Sequence, residues 1–338
     1  MKQQITFIFL LGITLLLAAC ASETPIPTSI EPPPSETAPA MDVTPAEGAE
    51  LIAEPASTES SKITVEALMN ATYSGIYDDP ITLKDGYYEG EPYGEDDPSR
   101  PIVRYIEGQE LFSDLDDDGD EDAIVFLLES GGGTASFTYV AAQLNQDGEP
   151  LDAGAVMVED RTQFRAAAIE DGQLILDVTT RGPGDVDCCP SHKIRRTYTL
   201  EGGKLVDVTN DDQELVRISA DDLNGTNWKL SEMDGEEVLL ETDVTIRFQD
   251  GEISGSGGCN TYRSSFTLSD DNPYLITLSP ILSTKMACPD PILSQETTYF
   301  TALDNVSIWG YSFGQLVFSY MDEQDERSEL FFVSQKDN

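Results

Sequence analysis

The sequence predicts a mainly β (α+β) protein: two antiparallel β-rich domains, the second with one packed helix, carried on a disordered Pro-rich stalk. Three observations lead there. Short alternating apolar runs recur from residue 81 onward, separated by Asp-Gly and Gly-Gly pairs, whose positive backbone angles suit tight hairpins. One segment, residues 292–303, has helical periodicity. Residues 21–62 hold eight of the chain's 19 prolines and no aromatic residue, so they lack the apolar surface that offsets the entropy of ordering.

The charge balance narrows the function classes. There are 63 Asp and Glu against 19 Lys and Arg, a net charge of −44. Sequence-independent binding to nucleic acid needs cations that displace counterions from phosphate, so no nucleic-acid partner is expected. Attraction to anionic lipid headgroups is excluded on the same ground. A saline habitat is a second source of such acidity. A single histidine, His192, excludes mechanisms that need two imidazoles.

The first 19 residues read as a secretory signal. Lys2 supplies a positive start, and Ile5–Ala19 is an apolar run that falls short of the ~20 residues needed to span a bilayer. The run ends in Leu17-Ala18-Ala19-Cys20. These residues resemble the bacterial lipobox, and the resemblance implies that Cys20 is lipidated and becomes the first residue of the mature chain. The expected location is the bacterial cell envelope, outside the cytoplasm, at the outer membrane or cell surface. The expected partners are the membrane, through the anchor on Cys20, and an unknown protein or envelope component. Residues 20–62 then form the linker, eight acids and one Lys among residues 21–62. Its reach is about 35 Å as a flexible coil and about 130 Å extended.

The first folded domain is expected over 63–210. Ile63–Met69 reads as one or two helical turns. Ile81–Leu83 and Tyr87-Tyr88 flank Lys84-Asp85-Gly86, and Phe137–Leu144 ends at Gln146-Asp147-Gly148. Arg165–Ile169 and Leu174–Val178 flank Asp171-Gly172; Arg196–Leu200 and Leu205–Val208 flank Gly202-Gly203. Four such hairpins argue for an antiparallel sheet, curled or sandwiched. Ala123–Leu128 reads as a buried strand.

Within this domain, seven of the nine residues Asp114–Asp122 are acidic. Asp114, Asp116, Asp118, Asp120 and Asp122 alternate around Gly119, the layout in which side chains converge on one hard cation while glycine permits the turn. Calcium is the candidate cofactor, in a structural role. An EF-hand would need a bidentate Glu where Val125 stands. The segment instead resembles the strand–loop–strand calcium motif of FG-GAP and VCBS repeats, in a single copy. The other reading is a solvated acidic turn.

Gly182–His192 holds Cys188, Cys189 and the only histidine. A Cys–His nucleophile or a zinc site is conceivable, but the acidic surroundings raise a thiol pKa. A vicinal disulfide or loop staple suits an oxidising compartment better, with His192 a plain surface or loop residue.

The second domain is expected over 222–335. Thr226–Leu230 and Val244–Phe248 read as strands. Asp290 is placed to cap a helix starting at Pro291, with Ile292, Glu296, Tyr299 and Leu303 on one face. Val306–Tyr311, Gln315–Tyr320 and Glu329–Val333 finish as strands. Leu223–Leu230 opens the segment, followed by Gly255-Ser256-Gly257-Gly258-Cys259-Asn260-Thr261-Tyr262, Thr284-Lys285-Met286-Ala287-Cys288 and Glu296. These pieces resemble the META domain, the family of the heat-shock protein HslJ. The resemblance implies links to heat shock, envelope stress and antibiotic tolerance, and it brings no catalytic residues. Gly258, Cys259 and Asn260 read as structural glue at a bend. Cys259 and Cys288 are 29 residues apart and are expected to pair outside the cytoplasm, the other reading being two buried thiols; pairing would add about 3–4 kcal/mol.

The expected function is that of a non-catalytic, lipid-anchored envelope protein in stress tolerance or partner binding. One alternative is a calcium-dependent adhesion or recognition lipoprotein. Another is an unrecognised hydrolase or inhibitor activity in the first domain.

Overall fold

The computed structural model describes residues 62–94, 99–133, 135–186, 189–322 and 324–335. The signal segment, Cys20 and the stalk as far as residue 61 lie outside the described residues. The described residues are mostly β, with several antiparallel sheets and, among them, one helix longer than seven residues.

The first sheet orders its strands as Tyr87–Glu89, Ile102–Tyr105, Asp122–Ser130, Phe137–Gln146 and Glu149–Asp160, with Leu111–Ser113 also paired to Asp122–Ser130. The second orders Lys204–Asp207, His192–Glu201, Gln173–Thr180 and Phe164–Glu170, with Val216–Arg217 against the start of His192–Glu201. Alternation along Asp122–Ser130 builds both cores. Ile124 and Phe126 face the second sheet, with Leu174, Leu176, Val178 and Tyr198 opposite. Ala123, Val125 and Leu127 face away, where the helix Val65–Leu68 and the ribbon of Thr72–Tyr73 with Ile81–Thr82 cover them. A strand apolar on both faces is the signature of this central position.

Three of the four expected hairpins form, at Asp147-Gly148, Asp171-Gly172 and Gly202-Gly203. The fourth does not. Asp85 and Gly86 take positive φ and Lys84 bridges Tyr87, but the flanking strands part. Ile81–Thr82 pairs back onto Thr72–Tyr73, and Tyr87–Glu89 joins the first sheet. The buried Ile81 and Leu83 side chains belong to the core on the outer face of the first sheet, and that burial outweighs continued pairing across the turn.

The C-terminal sheet runs Ile276–Leu278, Thr261–Leu268, Glu252–Ser256, Thr245–Gln249, Asn227–Met233, Arg327–Ser334, Gln315–Met321 and Val306–Ser312. A bridge from Leu275 to Ile308, and Trp309 N donating to Tyr274 O, bring its two ends together. Closure removes the free edges. The helix Ile292–Asn305 turns Glu296, Tyr299, Ala302 and Leu303 inward. It starts one residue later than expected. Pro291 is the N-cap and no side chain caps it, so the expected Asp290 cap is corrected. Gln295 N bonds the Pro291 carbonyl instead.

The two halves share contacts. The turn after Val306–Ser312 carries Phe313, whose ring stacks on Phe164 at 4.5 Å and meets Phe126 edge-on at 4.9 Å. Gln163 Oε1 accepts from Tyr311 N at 2.8 Å. The covered carboxylate of Asp222 takes both Arg165 and Lys193, at 3.1 and 2.7 Å.

Candidate functional site

The acidic loop joins Leu111–Ser113 to Asp122–Ser130, paired Ser113 to Asp122 and Leu111 to Ile124. It is therefore a strand–loop–strand unit. Asp117 and Gly119 have φ of 63° and 98°. Asp114 accepts from the Asp118 and Gly119 amides at 3.1 and 3.0 Å. Asp118 accepts from the Asp120 amide at 2.9 Å. Asp122 is fully buried; its oxygens accept from the Leu115 and Asn145 amides, both at 2.8 Å.

One carboxylate oxygen from each of Asp114, Asp116 and Asp122 lies within 4.8 Å of the others. Calcium bonds of about 2.3–2.6 Å bridge such a gap. Asp118 and Asp120 are not in that group. Val125 is buried in the strand and offers no ligand. Among the described residues, the ion pair at this loop is Lys62 with Glu121, at 2.7 Å. Burial raises the Asp122 carboxyl above the usual range, against the pull of the Asn145 and Leu115 amides. Burial also raises Asp116, and the charges of Asp118, Asp114 and Asp117 add to it. The arrangement gathers negative charge that a hard cation would neutralise. Asn145, which supports Asp122 from the neighbouring strand, carried no signal in the sequence.

The second cluster is the bend Gly257–Asn260. Asn260 is buried, and so is Glu296 on the helix. Glu296 Oε1 accepts from the Cys259 and Asn260 amides at 3.1 and 2.5 Å, and Oε2 accepts from Asn260 Nδ2 at 2.6 Å. Asn260 Oδ1 accepts from Thr284 Oγ1 and Met286 N at 2.8 and 2.7 Å. Gly257 is required here: a Cβ would sit 2.7 Å from both Glu296 Oε1 and Phe300. Gly258 has φ of 104°, where a side chain is strained. Cys259 and Cys288 form a disulfide with Cα atoms 6.1 Å apart. The helix, the bend and the 284–288 segment are thus tied at one point. The helical spacing had placed Glu296 on the inner face, but nothing in it told that three N–H groups wait there.

His192 is not a surface residue, which corrects the expectation. It opens a strand, and its side chain is 8% exposed because it packs against Gly182 and bonds Asp185, at 3.1 Å from Nδ1 to Oδ2. Ser191 Oγ and N and the Gly182 amide also donate to Asp185. Burial alone would raise Asp185, but the Ser191 donors, Gly182 and His192 hold it down at about 2. The Ser191 hydroxyl donates to the carboxylate, not to the imidazole, so the order of contacts is that of a structural knot. Cys189 is disulfide-bonded; Cys188 lies outside the described residues.

A closed antiparallel sheet with one helix packed against it, tied by a Glu–Asn bridge and a disulfide, defines the C-terminal module. Residues 221–336, the C-terminal third of the chain, match the family model of the META domain. Among solved structures, an NMR structure of a protein from Burkholderia xenovorans aligns over 38% of this chain and 99% of its own. The identity is 21% and the TM-score 0.28. No curated protein matches the chain.

Proposed function

We propose that the protein is a non-catalytic, lipid-anchored component of the bacterial cell envelope, with an HslJ-like META module serving stress tolerance or partner binding. The observation that supports a binding rather than a catalytic role is the use of the META signature. The side chains of Cys259, Asn260, Thr284 and Glu296 are engaged with one another, with the backbone of the bend and of Met286, or in the disulfide. The lipobox-like Leu17-Ala18-Ala19-Cys20 supports the anchor; two or three acyl chains would hold the protein stably, whereas one binds reversibly. Replacing Cys20 by Ala tests the reading. The chain should leave the membrane fraction, and survival of heat or envelope stress should fall to that of cells lacking the protein. Unchanged fractionation refutes the anchor, and unchanged survival refutes the stress role.

A second reading is favoured by the converging oxygens of Asp114, Asp116 and Asp122. It is a calcium-dependent recognition module in which the ion pins the two strands flanking the loop. Affinity would be in the range of extracellular modules, about 10⁻⁴–10⁻³ M. Calorimetric titration of the chelator-stripped protein should show one site, lost in Asp116→Ala with Asp118→Ala. No heat in the unaltered protein refutes it.

A further inference from the structure

The META module carries an apolar hollow of about 570 Å³, lying between the loop Glu237–Glu241 and the segment Pro289–Ile292 that leads into the helix. Leu240 lines it and is 97% exposed. A second hollow of about 290 Å³, which includes Leu230 and Val333, also uses Leu240. Full exposure of a leucine is ordinary on a slack loop, but this loop is held. Gln295 Oε1 accepts from Leu239 N at 2.8 Å, and Gln295 Nε2 donates to Thr242 Oγ1 at 2.9 Å. Thr242 donates back to the Leu239 carbonyl through both its amide and its hydroxyl, at 3.0 and 2.8 Å. The leucine is therefore presented on a prepared support, and the ordering cost that weakens most loop contacts is already met.

The rim carries Glu237, Glu241 and Asp290, all exposed, and no Lys, Arg or His lines the hollow. Among the described residues these three acids are not in ion pairs with Lys or Arg, in contrast to Lys229, which is held by Asp243 at 2.6 Å. An apolar floor inside an anionic rim selects a ligand with an apolar group between positive charges. The chain's own residues 21–62, with eight acids and one Lys, have the wrong sign. So does a second copy, at a net charge of −44.

We propose that this hollow docks a basic polypeptide segment of a partner protein, which inserts one apolar side chain beside Leu240 and sets flanking Lys or Arg against Glu237, Glu241 and Asp290. The proposal deepens the partner-binding part of the proposed function, and it rests on that part alone. Its failure would remove this surface and leave the anchor and the calcium loop to their own tests.

The test uses the full chain and three labelled synthetic peptides of equal length. The first has a Leu, Phe or Trp centre flanked by Lys and Arg. The second keeps the centre and carries Glu flanks. The third keeps the basic flanks and has a Ser centre. Fluorescence anisotropy should show the first binding at least ten-fold more tightly than either of the others. Binding should weaken ten-fold or more in Leu240→Ser, whose side chain supports no core. It should also weaken as salt rises from about 50 to about 500 mM, which collapses the screening length. Glu237→Lys with Glu241→Lys should reverse the preference toward the Glu-flanked peptide. Three results would overturn the proposal: equal binding of the basic and acidic peptides, binding unchanged in Leu240→Ser, or sedimentation showing that Leu240→Ser dissolves a dimer of this chain.

Discussion

Removing the Glu296 carboxylate is the sharpest test of how the META signature works. In Glu296→Ala, three donors lose their acceptor together: the Cys259 amide, the Asn260 amide and Asn260 Nδ2. Glu296 is 3% exposed and Asn260 4%, so water does not replace the bonds without a shift of the bend. Each buried donor left unpaired costs about 1–3 kcal/mol, and bonds to a charged acceptor lie at the upper end. Allowing for partial relaxation toward water, the expected loss is about 4 kcal/mol. At about 2–4 °C per kcal/mol, the melting temperature should fall by about 8–16 °C. Guanidinium unfolding followed by tryptophan fluorescence is a suitable assay, because both tryptophans, Trp228 and Trp309, lie in the META module. The double variant with Asn260→Ala should cost less than the sum of the two single changes, with a coupling of about 1–3 kcal/mol. A loss below about 1 kcal/mol, or additive single changes, would refute the idea that this bridge locks the helix to the bend.

Three further outcomes are expected. The folded-state pKa values of Asp116 and Asp122 are raised, so their contribution is favourable below the usual carboxylate value of about 3.9 and is lost as pH rises through the raised values. In the chelator-stripped protein this contribution should fade as pH rises above about 4, a loss of melting temperature that calcium offsets and that Asp116→Ala with Asp118→Ala diminishes. Asp185 has the opposite sign: held at about 2, it stabilises above its unfolded pKa, and that contribution is lost as pH falls toward 2. Asp185→Asn should cost about 1–3 kcal/mol in neutral denaturant titrations and remove part of the acid sensitivity. Phe313→Ala should cost about 1–3 kcal/mol and separate the fluorescence transition from the circular dichroism transition, since Phe313 joins Phe126 and Phe164 of the first half to the META module.

Much of the architecture was readable because hairpins are local. Asp147-Gly148 and Asp171-Gly172 hold their turn conformation and the alternation of the flanking strands in a few adjacent residues. The turn at Asp85-Gly86 obeyed the same local rule and still misled about pairing. Its strands find partners elsewhere, and a turn signal cannot specify which distant edge is free. The longest strand, Glu149–Asp160, was only implied by its turn, because two register shifts in its pairing with Phe137–Gln146 break the alternation. His192 shows the same limit in the candidate sites. A histidine after Cys-Cys-Pro-Ser reads as a loop residue, and only the fold brings Gly182 and Asp185 around its ring.

By itself, the sequence determined the β-rich class, three hairpins, the inner face of the one long helix, the acidic loop between two strands and the META signature. Each depends on residues close together in the chain or on a spacing that repeats. Tertiary structure alone decided that Glu296 meets the Gly257–Asn260 bend, that Asp122 is buried with Asn145 behind it, and that Phe313 reaches across to Phe164. It also decided that Leu240 stands exposed on a braced loop above an acidic-rimmed hollow. Those outcomes depend on sheet closure and on which faces meet, and long-range packing sets both without a trace in local pattern.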